Sequence, residues 1–297
     1  SIRNMLWEDN QTNYNNWRGL WGRFVSWSFG GVKHHRIRDG IFRRHTAIGN
    51  FTRGFWFDID HRNLLIEDVI CVGNIRGLFL EICPGPLEVR RALLVDDTEV
   101  DLEIHANYET LVKDSIIWGS NQTLKGSVHM YFQRGRGVST GVQQAAALGV
   151  PNEIISFDQP GPYVLENNVI GGPNVRHLMS IFTTSVEAPT RDYIGRANHF
   201  WPESGQAFIR LPADLGGPST FPIGQWFEKT GERDAQVGDP GFVDPASYDF
   251  RLRDDSPLTT RQAALPTMQI DPDKIREMRR MREWGQERKV DGREAGD

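Results

Sequence analysis

Between Arg53 and Asn121 the chain writes one unit three times: RGFWFDIDHRNLLIEDVICVGNI, RGLFLEICPGPLEVRRALLVDDTE and VDLEIHANYETLVKDSIIWGSN. The period is about 22–24 residues, the length of a unit that cannot bury its own apolar face and must stack on its neighbours. Each unit opens on strict alternation, as in Phe55-Trp56-Phe57-Asp58-Ile59-Asp60. Alternation at period two puts one set of side chains in a core and the other on an outer face. Phe55, Phe57 and Ile59 then point inward, followed by Leu78, Leu80 and Ile82, then by Leu102 and Ile104. A second strand is expected at Leu65-Ile66, Leu87 to Val89 and Leu111-Val112, closed by turn residues at Gly73-Asn74 and Asp96-Asp97. Helical spacing is absent. The expected fold is all-β: stacked coils of a right-handed parallel β-helix, a solenoid, with strands about 4.8 Å apart.

Stacking the coils turns the outward residues into a grid. One row is expected to run Trp56, Phe79, Asp101, the next Asp58, Glu81, Glu103, and a third Asp60, Cys83, His105. The coil before would add Lys33 beside Trp56 and His35 beside Asp58. Asn50 and Asn74 fall at equivalent turns and could stack as a structural ladder.

A formal charge of −5 disfavours nucleic acid as a partner. Glycine (30) and proline (16) suit a turn-rich β chain. Cys71 and Cys83 do not form a metal pattern, Cys71 falling in a core strand and Cys83 on the outer grid. No 18-residue apolar run is present, so no membrane span is expected, and no signal peptide is visible. The first residues already resemble a coil without a cap, which suggests upstream coils or an upstream domain.

The repeat is broken twice, near 11–31 and 122–162, by expected loop insertions, with a short helix expected at Val142 to Leu148. The first insertion carries Trp17, Arg18, Trp21 and Trp27, a composition that suits stacking on sugar rings or plugging the solenoid wall. The β-helix is expected to occupy 1–258. A linker and a helix with an Ile275, Met278, Met281 stripe follow in 259–297, with Asp271-Pro272 as its start. A shorter helix is expected at Gln225 to Thr230, ended by Gly231.

The stretch Asp239-Pro240-Gly241-Phe242-Val243-Asp244-Pro245, then Tyr248 to Leu252 and Ser256-Pro257, resembles the closing segment of right-handed β-helix proteins that act on polysaccharides. The passes at 53–121 resemble the same superfamily, and together the likeness covers most of 31–258. That superfamily spans glycoside hydrolases, polysaccharide lyases, epimerases and binding proteins. The resemblance implies a polysaccharide or oligosaccharide partner and a secreted or periplasmic setting.

Stacked carboxylates repel one another, so a row of Asp58, Glu81 and Glu103 calls for an offsetting cation or a catalytic use. A solvated acidic ladder is the plain structural alternative. As a glycoside hydrolase, which needs no cofactor, the chain would use Asp58 and Glu81 as its carboxyl pair. Asp60 stands next in line, with His61 or His105 orienting and Trp56 and Phe79 stacking on sugar. As a lyase it would use Lys33 as base, with Ca2+ held by Asp58, Asp60, Glu81 and Glu103. A binding or adhesion solenoid would use the same aromatic platform without turnover. Adjacent His34 and His35 point to opposite sides of a strand and make poor joint zinc ligands.

Overall fold

The computed structural model describes residues 2–16, 29–132 and 161–290, with backbone alone for 284–290. Among these the chain winds through three stacked sheets. In the coil that begins at Arg53 the strands are Arg53–Asp58, Arg62–Glu67 and Ile70–Val72. The sheets they enter are called front, flank and back. The front and flank sheets hold eight strands each and the back sheet seven. Pairing between coils is parallel, as between Phe55 and Leu78 or Leu64 and Leu87. The exception is the last front strand, Pro218–Pro222, which runs antiparallel to Gln206–Arg210. The fold is therefore the expected all-β parallel solenoid, with three strands per coil rather than two.

The third strand hides in the sequence because it is buried on both faces. Ala47, Cys71, Leu94 and Ile117 point into the coil. Their neighbours Ile48, Val72, Val95 and Trp118 point outward, yet lie beneath the C-terminal segment in a second apolar cluster. A strand covered on both sides reads as a continuous apolar run, here ICV, LLV and IIW, and loses its alternation. The turns at Gly73-Asn74 and Asp96-Asp97 accordingly follow this third strand, not the second.

One left-handed residue bends each flank strand into the back sheet: Arg44, Asp68, Arg91, Asp114, Asn167 and Ala197 all have φ between 51° and 56°. Such a conformation costs an ordinary residue about 1–2 kcal/mol. Its recurrence at one corner shows that the bend, not the side chain, is what the coil requires.

The back-to-front corner is stitched by side-chain amides. Asn50 Nδ2 donates to Asn74 Oδ1 (2.8 Å), and Asn74 Nδ2 donates to Asp97 Oδ1 (2.9 Å). Each amide nitrogen also reaches a backbone carbonyl, Thr12 O for Asn50 and Ala47 O for Asn74. These side chains lie flat against a row of glycines, Gly31, Gly54 and Gly77, where a Cβ would collide. At Gly54 it would sit 2.7 Å from Asn74 Nδ2 and 3.0 Å from Gly77 O. Gly54→Ala is expected to destabilise the fold by about 1–3 kcal/mol through overpacking. A drop in the urea midpoint with an unchanged m-value would show it.

Helix α1 (Ala188–Arg191) is one turn, and α2 (Ile223–Thr230) ends at Gly231, φ 70°, as the sequence predicts. Helix α3 (Pro272–Val290) begins at the expected Asp271-Pro272 signal. The closing hairpin (Phe242–Asp244 with Asp249–Leu252) and the segment after it do not cap the last coil. Phe242, Phe250, Leu258, Leu265, Ile270, Ile275 and Met278 lie along the outside of the back sheet, from Trp118 back to Ile48. Tyr14 donates its hydroxyl to Lys274 O (2.8 Å), fixing α3 beside the first coils. Trp201 stacks on Trp118 at 5.2 Å and Phe200 lies in the core. No helix among the described residues is long and apolar enough to cross a membrane.

Candidate functional site

The front sheet carries the candidate site on its outer face. Its register gives two complete rows. One is Lys33, Trp56, Phe79, Glu103, His129, Ser180, Phe208; the other is His35, Asp58, Glu81, His105, Tyr131, Phe182, Arg210. The expected partners at Lys33 and His35 are found. The expected third coil is two residues out of step. Leu102 stacks on Leu78 and Ile104 on Leu80, so Glu103 follows Phe79 and His105 follows Glu81. Asp101 instead falls opposite Gly77 and is fully buried at the corner. The register obeys the inward leucines, and the third pass merely begins one alternation earlier.

Asp58 and Glu81 are neighbours on consecutive coils but differ in circumstance. Asp58 is 3% exposed; its Oδ2 accepts from Lys33 Nζ (2.7 Å) and pairs with His35 Nε2 (3.3 Å). Lys33 also lies 3.6 Å above the Trp56 ring. Glu81 Oε2 accepts from Trp56 Nε1 (3.1 Å), and Oε1 lies 3.6 Å from His105 Nδ1. Burial first, then the negative charges of Asp58 and Glu103, push the Glu81 carboxyl up to about 8. At neutral pH it therefore holds a proton. Glu103 is held by Arg76 (2.9 Å) and Lys125 (3.1 Å), and both cations also bind Glu99.

These groups border a cleft of about 280 Å³ that includes Glu81, Glu103 and His105 but not Asp58. Trp56 and Phe79 stack on each other at 5.5 Å and are each 1% exposed. Arg53 covers Trp56 and Arg76 covers Phe79. They form the floor of the site, not the open stacking platform expected of them. The half-buried rings at the cleft are Tyr131 and Phe182, one and two coils beyond His105.

Three other residues depart from expectation. Asp60 is left-handed at the strand end (φ 58°) and turns to Arg38 and Arg62, off the row. His61 is fully buried, one nitrogen accepting from Ile37 N and the other meeting His34 O. It braces the core rather than a substrate, and burial pushes it down to about 4. Cys83 is a core residue, because left-handed Ile82 (φ 54°) reverses the alternation just before it. Cys71 is in the core as expected, and both thiols are free. The proposed calcium ligands Asp58, Asp60, Glu81 and Glu103 are not gathered. Among the described residues no three His, Cys, Asp or Glu side chains converge on one point. Trp17, Arg18, Trp21 and Trp27 lie outside the described residues, as does the helix expected at 142–148.

Sequence reasoning missed Arg53, Arg76, Lys125, His129, Tyr131 and Phe182. Extending the two outward rows past His105 would have found the last three. No protein-family model, curated protein or solved structure matches the chain.

Proposed function

We propose that this chain cleaves glycosidic bonds in a polysaccharide or oligosaccharide, with Glu81 as the proton donor. One observation carries the reading: a carboxyl raised to about 8 that opens on an aromatic-edged cleft. A general acid works best when its pKa lies near the working pH. Glycosidic cleavage needs such an acid beside a second carboxylate.

Two residues could be that second group. Asp58 lies one coil away, about 4.8 Å at the backbone, but is closed under Lys33 and His35. Glu103 lies diagonally, about 7–8 Å away; it is as little exposed as Asp58, 3%, and is held by Arg76 and Lys125, but it lines the cleft with Glu81. An inverting pair would need its carboxyls about 6.5–9.5 Å apart, with room between them for the attacking water. Glu103 is therefore assigned as base, and Asp58 as the charge that keeps Glu81 protonated. Arg76 and Lys125 fix the Glu103 carboxylate in place. No metal is required. A polysaccharide substrate implies a secreted or periplasmic setting.

The test is a digestion screen of neutral and uronate polysaccharides, following reducing ends and near-ultraviolet absorbance together, with and without chelator. Hydrolysis predicts reducing ends without new absorbance, unchanged by chelation. An unsaturated, absorbing product would replace the proposal with elimination. Saccharide binding without either product would make the chain a binding solenoid.

A further inference from the structure

The rows do not stop at the cleft. From Glu81 the register passes through His105, Tyr131 and Phe182 to Arg210. Tyr131 and Phe182 border the cleft and also a second hollow of about 480 Å³. The two hollows therefore meet at these two rings, and the rows that carry them run along the solenoid. The second contains Thr183, Thr184 and Arg210.

Its charge differs from that of the first. No carboxylate is among the described residues that line it. In the cleft, Arg76 and Lys125 are matched to Glu99 and Glu103. Arg210 has no carboxylate partner among the described residues; its guanidinium lies over the Phe182 ring at 5.2 Å. A stacked guanidinium is held in one orientation and keeps its edge donors for a planar or tetrahedral oxyanion. The exposed Thr184 beside it can take a further sugar oxygen, while Thr183 is buried with its hydroxyl bonded to the Ser185 backbone.

We propose that Arg210 marks a distal subsite for a sugar unit bearing a carboxylate or sulfate, four coils from Glu81; this rests on the glycosidic reading above. Four strand spacings are about 19 Å. One coil advances by roughly the length of one pyranose unit, so a chain lying along the groove presents about one sugar per coil. Arg210 then reads the charge of a unit remote from the bond that breaks. A substrate too short to reach it forgoes that contact.

The test is calorimetric titration of the Glu81→Gln protein, which should bind without cleaving, alone and combined with Arg210→Ala or Arg210→Gln. The probes are uronate oligosaccharides of two and six units, a sulfated six-unit oligosaccharide and a neutral six-unit one. Arg210 is exposed on its strand, and unchanged thermal midpoints would confirm intact folds. The expected result is that a six-unit anionic oligomer binds at least tenfold tighter than the two-unit one. Either Arg210 variant should abolish that gain while leaving two-unit binding unchanged. Comparing the uronate and sulfate arms identifies the anion. The salt dependence of six-unit binding should also shrink in the variants. Equal binding of neutral and anionic six-unit oligomers, or no effect of Arg210, overturns the subsite and leaves the glycosidic reading standing. Failure of every saccharide to bind or be cleaved overturns both.

Discussion

Glu81→Gln should lower glycosidic cleavage by about 10²–10⁴-fold, the usual contribution of a positioned general acid. Glutamine keeps the acceptor for Trp56 Nε1 but has no acidic proton to give. In the wild type the rate should fall as pH rises through about 8, because the donor is lost when Glu81 ionises. Asp58→Asn supplies the sharper test. Asp58 is the largest charge raising Glu81, and Lys33 acts in the opposite sense. Removing the aspartate charge should shift the alkaline limb towards lower pH, with a smaller loss of maximal rate than Glu81→Gln causes. Rate against pH for the three proteins checks both statements. An alkaline limb that ignores Asp58 would mean that another group donates the proton.

Asp97→Asn should raise stability at alkaline pH. In the corner ladder, Asn50 and Asn74 turn their amide nitrogens towards Gly31 and Gly54, and Asp97 turns Oδ2 towards Gly77. Asp97 thus puts an oxygen where the ladder has a donor, and that oxygen has no hydrogen-bond partner. Burial is the main cause that raises Asp97 to about 8, and its neighbour Asp101 is raised well above the carboxylate range, again chiefly by burial. A carboxyl whose folded pKa is raised holds its proton in the fold while the unfolded chain has released it. Stability therefore falls as pH rises from the unfolded value, near 4, to the folded one, near 8.

The wild type and Asp97→Asn are best compared above pH 6.5. Below it the buried histidines act in the opposite sense. His34, His45 and His61 are pushed down to about 3, 4 and 4, chiefly by burial, so the unfolded chain takes up protons that the fold refuses. Between pH 6.5 and 8 the unfolded chain's histidines lose the rest of their protons, a contribution that wild type and Asp97→Asn share and that cancels in the comparison of the two. Over that span Asp97 alone should cost the wild type about 2 kcal/mol, at ~1.4 kcal/mol per pH unit. The Asp97→Asn protein would carry no such cost, and its side-chain amide would restore the missing donor. Denaturant midpoints at pH 6.5 and 8.5 should diverge between wild type and Asp97→Asn. Parallel curves would show that Asp97 is ionised throughout.

The solenoid was legible because its front strands alternate. Phe55 and Phe57, Leu78 and Leu80, Leu102 and Ile104 do face inward, and the residues between them face out. Alternation fails where a left-handed residue intervenes, and Ile59, Asp60 and Ile82 each do so at a strand end. Asp60 and Cys83 depart from the expected rows for that reason. The back sheet escapes a reading by periodicity because the tail that covers it lies far along the chain. Glu81 stands out in the sequence as a carboxylate beside an aromatic. Its retained proton depends on burial and on the neighbours at Asp58 and Glu103, and these follow from register rather than from residue type. The outward direction of Trp56 predicts an open face, but Arg53 and Lys33 already occupy it.

Helix α3 gives the molecule a direction of assembly. A coil touches only the coils before and after it, so the solenoid can zip up locally as it is made. The outer side of the back sheet near Ile48 and Val72 is different, since Ile275 and Met278 cover it and Tyr14 is joined to Lys274. These coils leave the ribosome about 200 residues before Ile275 and Met278, so they are finished late. During synthesis their back face stays uncovered, an apolar strip that a chaperone or another nascent chain can find before the tail arrives.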